Sequence, residues 1–136
     1  MSTLKTILIV EDDPFDAEMT LRALKEIPLA NPVEVLETGQ EFLEYLSSGK
    51  ALELAVVLLD LSMPQVSGIE ALEIIRASDY PSFPIVVLSS SSEAPDIKRC
   101  YELGVNSFVT KPVKQQAFKE AINTLGLYWG IINKIP

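Results

Sequence analysis

Apolar and polar positions alternate in blocks along the chain, and the blocks switch between two periods. "TILIV" (6–10) is a short apolar run and predicts a buried strand. "VEVLE" (33–37) alternates in period two, as a strand with one buried face does. "LAVVLLD" (54–60), "PIVVLS" (84–89) and "SFVT" (107–110) predict three further strands. Between them the apolar spacing becomes helical. Phe15, Met19, Leu21, Leu24 and Ile27 form an imperfect stripe from Pro14 to Ile27. Asp13 before Pro14 reads as a helix start with proline at its first position. Pro28 and Pro32 bracket the break that follows. "GQEFLEYLSSG" turns Phe42, Leu43 and Leu46 inward and stops at Gly49. "SGIEALEIIRAS" carries Ile69, Leu72 and Ile75 on one face. "APDIKRCYELG" ends at Gly104, and "KQQAFKEAINTLGLYWGII" forms the last helix, with fraying or a bend expected at Gly126.

The order is therefore βα repeated five times. Helices between short apolar strands imply parallel pairing through right-handed crossovers. The expected fold is α/β: a (βα)5 doubly wound, five-stranded parallel sheet of flavodoxin-like order. Its ligand site should lie outside the carboxyl ends of the strands, at the topological switch point.

Length and composition narrow the picture. A chain of 136 residues fits one domain, residues 1–136, and 48% hydrophobic content is enough for a proper core. Output is then expected through surface contacts. A net charge of -8 argues against non-specific nucleic-acid binding and against anionic membranes. The absence of histidine removes the usual general base and the favourite zinc ligand. Cys100 is the sole cysteine, so no internal disulfide can form, which suits a reducing cytoplasm. It reads as a small buried residue on a helix rather than a redox thiol. The apolar stretch before Glu11 is too short for a signal peptide or a membrane span.

The chemistry stands at the predicted strand ends. Glu11 and Asp12 follow the first strand, with Asp13 next, and Asp60 ends the third. Ser89 ends the fourth, and Lys111-Pro112 follows the fifth. Carboxylates converging on one patch repel one another unless something neutralises them. Mg²⁺ does so well, because it prefers oxygen ligands and keeps several waters. Glu11, Asp12 and Asp60 suit it, together with a backbone carbonyl from the turn after Asp60. A carboxylate nucleophile, a cation, a hydroxyl and an ammonium around one point make a phosphoryl site. Taken singly, each group has a plainer reading: acids after a strand cap helices, and serines 89–92 make a loop.

In combination, "ILIVEDDP", "LLDLSMPQVSG", "PIVVLSS" and "FVTKP" resemble the receiver domain of two-component response regulators, over about residues 5–125. The resemblance implies that Asp60 is the phosphoacceptor, charged by a sensor histidine kinase. It implies that Glu11 and Asp12 are the acidic metal pair and that the carbonyl of Ser62 completes the protein's metal contacts. Ser89 takes the hydroxyl switch position, Phe108 the aromatic switch position, and Lys111 that of the active-site lysine. Pro112 falls where this family often has a cis peptide. The protein would then be no enzyme beyond self-catalysed uptake and hydrolysis of its phosphoryl group. Signalling would run through the surface of the fourth helix, fifth strand and fifth helix.

Three other classes fit less well. A haloacid-dehalogenase-like phosphatase needs a second aspartate two residues after the nucleophile, where this chain has Ser62. A nucleotide-binding relative needs a glycine-rich phosphate loop, and "EDDPFD" is its electrostatic opposite. A receiver-like interaction module that takes no phosphate would not need the full set of site residues.

The segment 126–136 reads as an extension of the last helix. Phe118, Ile122, Leu125, Trp129 and Ile132 share one stripe, while Leu127, Tyr128, Ile131 and Ile135 fall largely elsewhere. Those four make a candidate partner surface; the alternative is a tail folded back on its own domain. Together with "KEIPLANPVEVLETGQEFLEYL", the tail resembles single-domain regulators paired with bacterial phytochrome-type kinases. That resemblance implies a homodimer through the last helices and strand.

Overall fold

In a computed structural model, residues 4–90, 94–111 and 115–132 are described. Five parallel strands form one sheet: β1 (Thr6–Val10), β2 (Val33–Leu36), β3 (Leu54–Asp60), β4 (Ile85–Ser89) and β5 (Ser107–Thr110). Their spatial order is β2-β1-β3-β4-β5. The helices are α1 (Pro14–Lys25), α2 (Gly39–Ser47), α3 (Gly68–Arg76), α4 (Ala94–Glu102) and α5 (Gln115–Leu127). This is the doubly wound flavodoxin-like architecture that the alternating periods predict. A single 3-10 turn, Ala51–Glu53, leads into β3, and a π-helical turn, Tyr128–Ile132, continues α5.

Period two in the strands divides the core between the two faces of the sheet. Leu8, Val10, Val57, Leu59 and Val87 pack with Phe42, Leu46, Leu72 and Cys100 from α2, α3 and α4. Ile7, Ile9, Val56, Leu58 and Val86 pack with Ala23, Leu24, Phe118 and Ile122 from α1 and α5. Each fully buried Leu or Ile contributes about 1.5–3 kcal/mol. Because every residue of β3 is buried, its charged last member, Asp60, is held on a rigid rod.

Polar punctuation sets the helix ends. Asp13 caps α1 by accepting the N–H groups of Phe15 at 2.8 Å and Asp16 at 3.1 Å. Thr38 caps α2 and Ser67 caps α3 in the same way. Gly49 and Gly104 follow α2 and α4 with φ of 87° and 89°, a left-handed conformation that glycine adopts without steric cost. The stripe read on α1 needs one correction. Phe15 is 59% exposed, and α1 instead buries Ala17, Thr20, Ala23 and Leu24. Phe15 stands two residues before Ala17, about 200° around the helix, and so lies on the face opposite the buried one.

Residues 126–130 fold onto their own chain along one face. A Cβ at Gly126 would lie 2.6 Å from Ile27 Cδ1 and 2.7 Å from Leu24 Cδ2. One at Gly130 would lie 2.5 Å from Leu29 Cδ2, so two glycines four apart let the helix end press on the α1–β2 connection. Trp129 and Leu125 join the core there. Leu127 is half-buried and Tyr128 is 46% exposed; Ile135 lies outside the described residues. Among the described residues, no helix is long and apolar enough to cross a membrane.

Candidate functional site

The sheet register aligns the strand ends. Val10 lies opposite Leu59, Asp60 opposite Leu88, and Ser89 opposite Thr110. Glu11, Asp60, Ser89 and Lys111 therefore emerge along one rim, and the order of strands reverses between β1 and β3 at its centre. That is where an open α/β sheet binds ligands.

Carboxylate oxygens of Glu11, Asp12 and Asp60 all lie within 4.8 Å of one another. Glu11 and Asp60 are buried, and Asp12 is half-buried. Lys111 reaches in from the other side. Its Nζ donates to Glu11 Oε1 at 2.5 Å, Asp16 Oδ2 at 3.0 Å and Asp60 Oδ1 at 3.4 Å. One ammonium thus contacts three of the four acids gathered here, Glu11, Asp16 and Asp60. Of the four, Glu11, Asp12 and Asp60 form a hard-oxygen set with excess negative charge, the donor chemistry that a divalent cation such as Mg²⁺ fits.

Burial raises the pKa of Glu11 from 4.5 to about 7; the negative charge of Asp60 adds to this, while the Lys111 ammonium and the Asp13 N–H only partly offset it. Burial also pushes Asp60 up, against the charge of Lys111, hydrogen bonds from Glu11 and Lys111, and the N–H of Ser62. For Lys111, burial disfavours the charged form, but hydrogen bonds to Glu11 and Asp16 and the charge of Asp60 outweigh it and raise its pKa. Lys111 therefore stays an ammonium at neutral pH, while Glu11 shares its site with a proton.

The turn after β3 is tightly built. Gly68, the first residue of α3, donates its N–H to the Leu61 carbonyl at 3.0 Å. A Cβ there would sit 2.6 Å from the Asp60 carbonyl oxygen and 2.7 Å from Leu61 Cα. Ser62, the expected carbonyl ligand, stands exposed in this turn. Ser89 is 1% exposed, and its carbonyl accepts the Lys111 N–H at 2.7 Å. Phe108 is half-buried against the α2–α3–α4 side of the core. Pro112 lies outside the described residues.

Two residues that the sequence did not single out also stand here. Asp16, in the first turn of α1, is the third acceptor for Lys111. Its signal was the run of acids in "EDDPFD", but an acid in a first helical turn is already accounted for by the helix dipole. Tyr101, on α4, accepts the N–H of Phe108 with its hydroxyl at 3.2 Å. Nothing in the sequence marks that contact. Cys100 is fully buried, and burial raises its thiol pKa, with Asp96 adding to the effect; it is core, as expected.

A family model for the response regulator receiver domain matches residues 7–123. The chain belongs to this receiver-domain family, whose response regulators are signalling proteins. Among curated relatives, the probable methanogenesis regulatory protein FilR2 of Methanothrix harundinacea is 34% identical over 135 residues, covering 96% of this chain and 86% of that one. Of several other curated relatives the chain spans 53% of the length or less. Among solved structures, the bacteriophytochrome response regulator AtBRR is 45% identical at a TM-score of 0.72, with 98% and 100% of the chains covered. The phosphorylated cyanobacterial phytochrome response regulator RcpA superposes at 0.90 with 28% identity, covering 98% and 99%. The Mn²⁺-bound form of response regulator Rcp1 superposes at 0.88 with 27% identity, covering 97% and 99%. Close structural neighbours of this chain are thus phytochrome-associated response regulators.

Proposed function

We propose that this chain is a response regulator that takes a phosphoryl group on Asp60 from a sensor histidine kinase, with Mg²⁺ as cofactor. The observation that carries the reading is Asp60 itself. It is a buried carboxylate fixed at the end of a rigid strand, 3.4 Å from an ammonium and within 4.8 Å of two further acids.

The chemistry follows from these groups. An Asp60 carboxylate oxygen attacks the phosphorus of a phosphohistidine. The new O–P bond forms as the P–N bond breaks, and the electron pair returns to the imidazole nitrogen, which takes up a proton. Glu11, Asp12, Asp60 and the Ser62 carbonyl would hold the Mg²⁺, which when bound neutralises charge on the phosphoryl oxygens. Lys111 donates to one of these oxygens and Ser89 Oγ to another. Movement of Ser89 vacates space that Phe108 enters, and this shifts the surface of α4, β5 and α5. The protein is a signalling switch with no substrate of its own beyond the phosphodonor.

Similarity to the bacteriophytochrome response regulator AtBRR and the cyanobacterial phytochrome response regulator RcpA supports a phytochrome-type kinase as partner. We also assign a homodimer through the C-terminal helix region, supported by exposed Tyr128 and half-buried Leu127. A cytoplasmic location accords with the lone, buried Cys100. Incubation with acetyl phosphate and Mg²⁺ tests the core of the reading: mass spectrometry should find one phosphoryl group, on Asp60, and none when the metal is chelated. A chain that stays unmodified overturns it. Phosphotransfer rates from a panel of kinases then identify the partner.

A further inference from the structure

An ammonium has three N–H donors. Lys111 uses them on Glu11, Asp16 and Asp60 at 2.5, 3.0 and 3.4 Å. Two of these acceptors, Glu11 and Asp60, also belong to the cation-binding set with Asp12; Asp16 does not. The Asp16 backbone is pinned at both ends. Its N–H donates to Asp13 Oδ1 at 3.1 Å, and its carbonyl accepts the hydroxyl of buried Thr20 at 2.8 Å.

We propose that Asp16 is a positioning residue for Lys111: it keeps the ammonium at the site when Glu11 and Asp60 turn their oxygens to a divalent cation. This rests on the reading that the acidic set holds Mg²⁺ and that Asp60 accepts phosphate. In that state Lys111 loses two of its three acceptors and faces a like charge. Its four-carbon stem is flexible, and open water solvates an ammonium strongly. Without Asp16 the ammonium leaves. With Asp16 one donor stays anchored, and the two released donors are free for phosphoryl oxygens. A plain helix-dipole role for Asp16 would change stability only, whereas positioning changes where Lys111 sits once metal binds.

The test is NMR of the lysine ammonium groups in the ¹⁵N-lysine-labelled chain, titrated with Mg²⁺ alone. Lys111 is assigned by its loss in Lys111→Met. In the native chain its slowly exchanging signal should persist at saturating Mg²⁺. In Asp16→Asn it should be present without metal and vanish as Mg²⁺ binds. Phosphoryl uptake from acetyl phosphate at saturating Mg²⁺ should slow by about tenfold in Asp16→Asn, as expected for losing one orienting contact. In the Lys111→Met background the same substitution should change nothing. A Lys111 signal that survives Mg²⁺ in Asp16→Asn, or equal slowing with and without Lys111, overturns the proposal. A native chain that binds Mg²⁺ but takes no phosphate removes the phosphoacceptor reading, and the titration still decides on Asp16. Absence of any Mg²⁺ response overturns both.

Discussion

The hydroxyl of Tyr101 on α4 accepts the backbone N–H of Phe108 on β5 at 3.2 Å. β5 is an edge strand, so this bond takes up an N–H that the sheet leaves unpaired. It also ties Phe108, the proposed switch residue, to a neighbouring helix. Tyr101→Phe should speed amide exchange at Phe108 several-fold while costing about 1 kcal/mol or less of global stability. Phosphorylation should then still shift Phe108 resonances but move α4 less. Unchanged exchange at Phe108 would show that the edge N–H is protected some other way.

Asp60→Asn should abolish acyl-phosphate formation and leave the fold intact, because the amide is nearly isosteric but a poor nucleophile. It also removes a negative charge from a crowded, buried position. Without metal at pH 8, the variant should therefore melt at a higher temperature than the native chain. A phosphorylated Asp60→Asn protein, or a lower melting point, would count against this account of the site.

The raised pKa of Glu11 predicts the sign of a pH effect. Its folded value of about 7 lies above its ordinary 4.5, so across that window the folded chain binds more protons than the unfolded one. Stability then falls as pH rises, and the protonated-state advantage is lost once pH passes 7. Asp60, also raised, acts in the same direction. Urea midpoints in chelator should be lower at pH 8 than at pH 5.5, and saturating Mg²⁺ should remove the difference. Glu11→Gln should flatten the metal-free curve. A midpoint that climbs with pH in chelator would contradict the assignment.

Gly68→Ala should be costly, because its Cβ would meet the backbone of Asp60 and Leu61 rather than the yielding tip of a side chain. Overpacking typically costs about 1–3 kcal/mol, and here the upper part of that range is expected. The displaced segment carries Asp60, the proposed acceptor, so phosphoryl uptake should fall in the fraction that still folds. Equal uptake and stability would mean that the turn has more room than these distances allow.

Assembly is checked by sedimentation. The full chain should run as a dimer at tens of micromolar, and Tyr128→Ser should weaken it without lowering the melting temperature, because Tyr128 is largely outside the core. A monomeric native chain, with and without phosphate, would leave Tyr128 as surface alone.

Much of this was legible in the sequence, for specific physical reasons. β1 and β3 match their apolar runs residue for residue, because buried parallel strands permit little else, and the half-buried edge strand β5 also begins and ends with "SFVT". The acids at strand ends stood out because a charge closing an apolar run is costly without a purpose. Phe15 misled because its spacing to Met19 fits the α1 stripe, yet the face that α1 buries is that of Ala17, Thr20 and Leu24. Asp16 and Tyr101 were not legible as site residues, because each acts across a gap between elements that period and composition do not measure. The fold of the tail onto Leu29 likewise depends on the path of the α1–β2 connection.

Glu11 and Lys111 touch although 100 residues separate them in the chain. Closing so long a loop is entropically late work in folding. A chain that lacks β5 would carry Asp60 on its strand with no Lys111 ammonium opposite, and the acids at this rim would lose the cation that bridges them. Charge balance at the site is thereby tied to completion of the sheet.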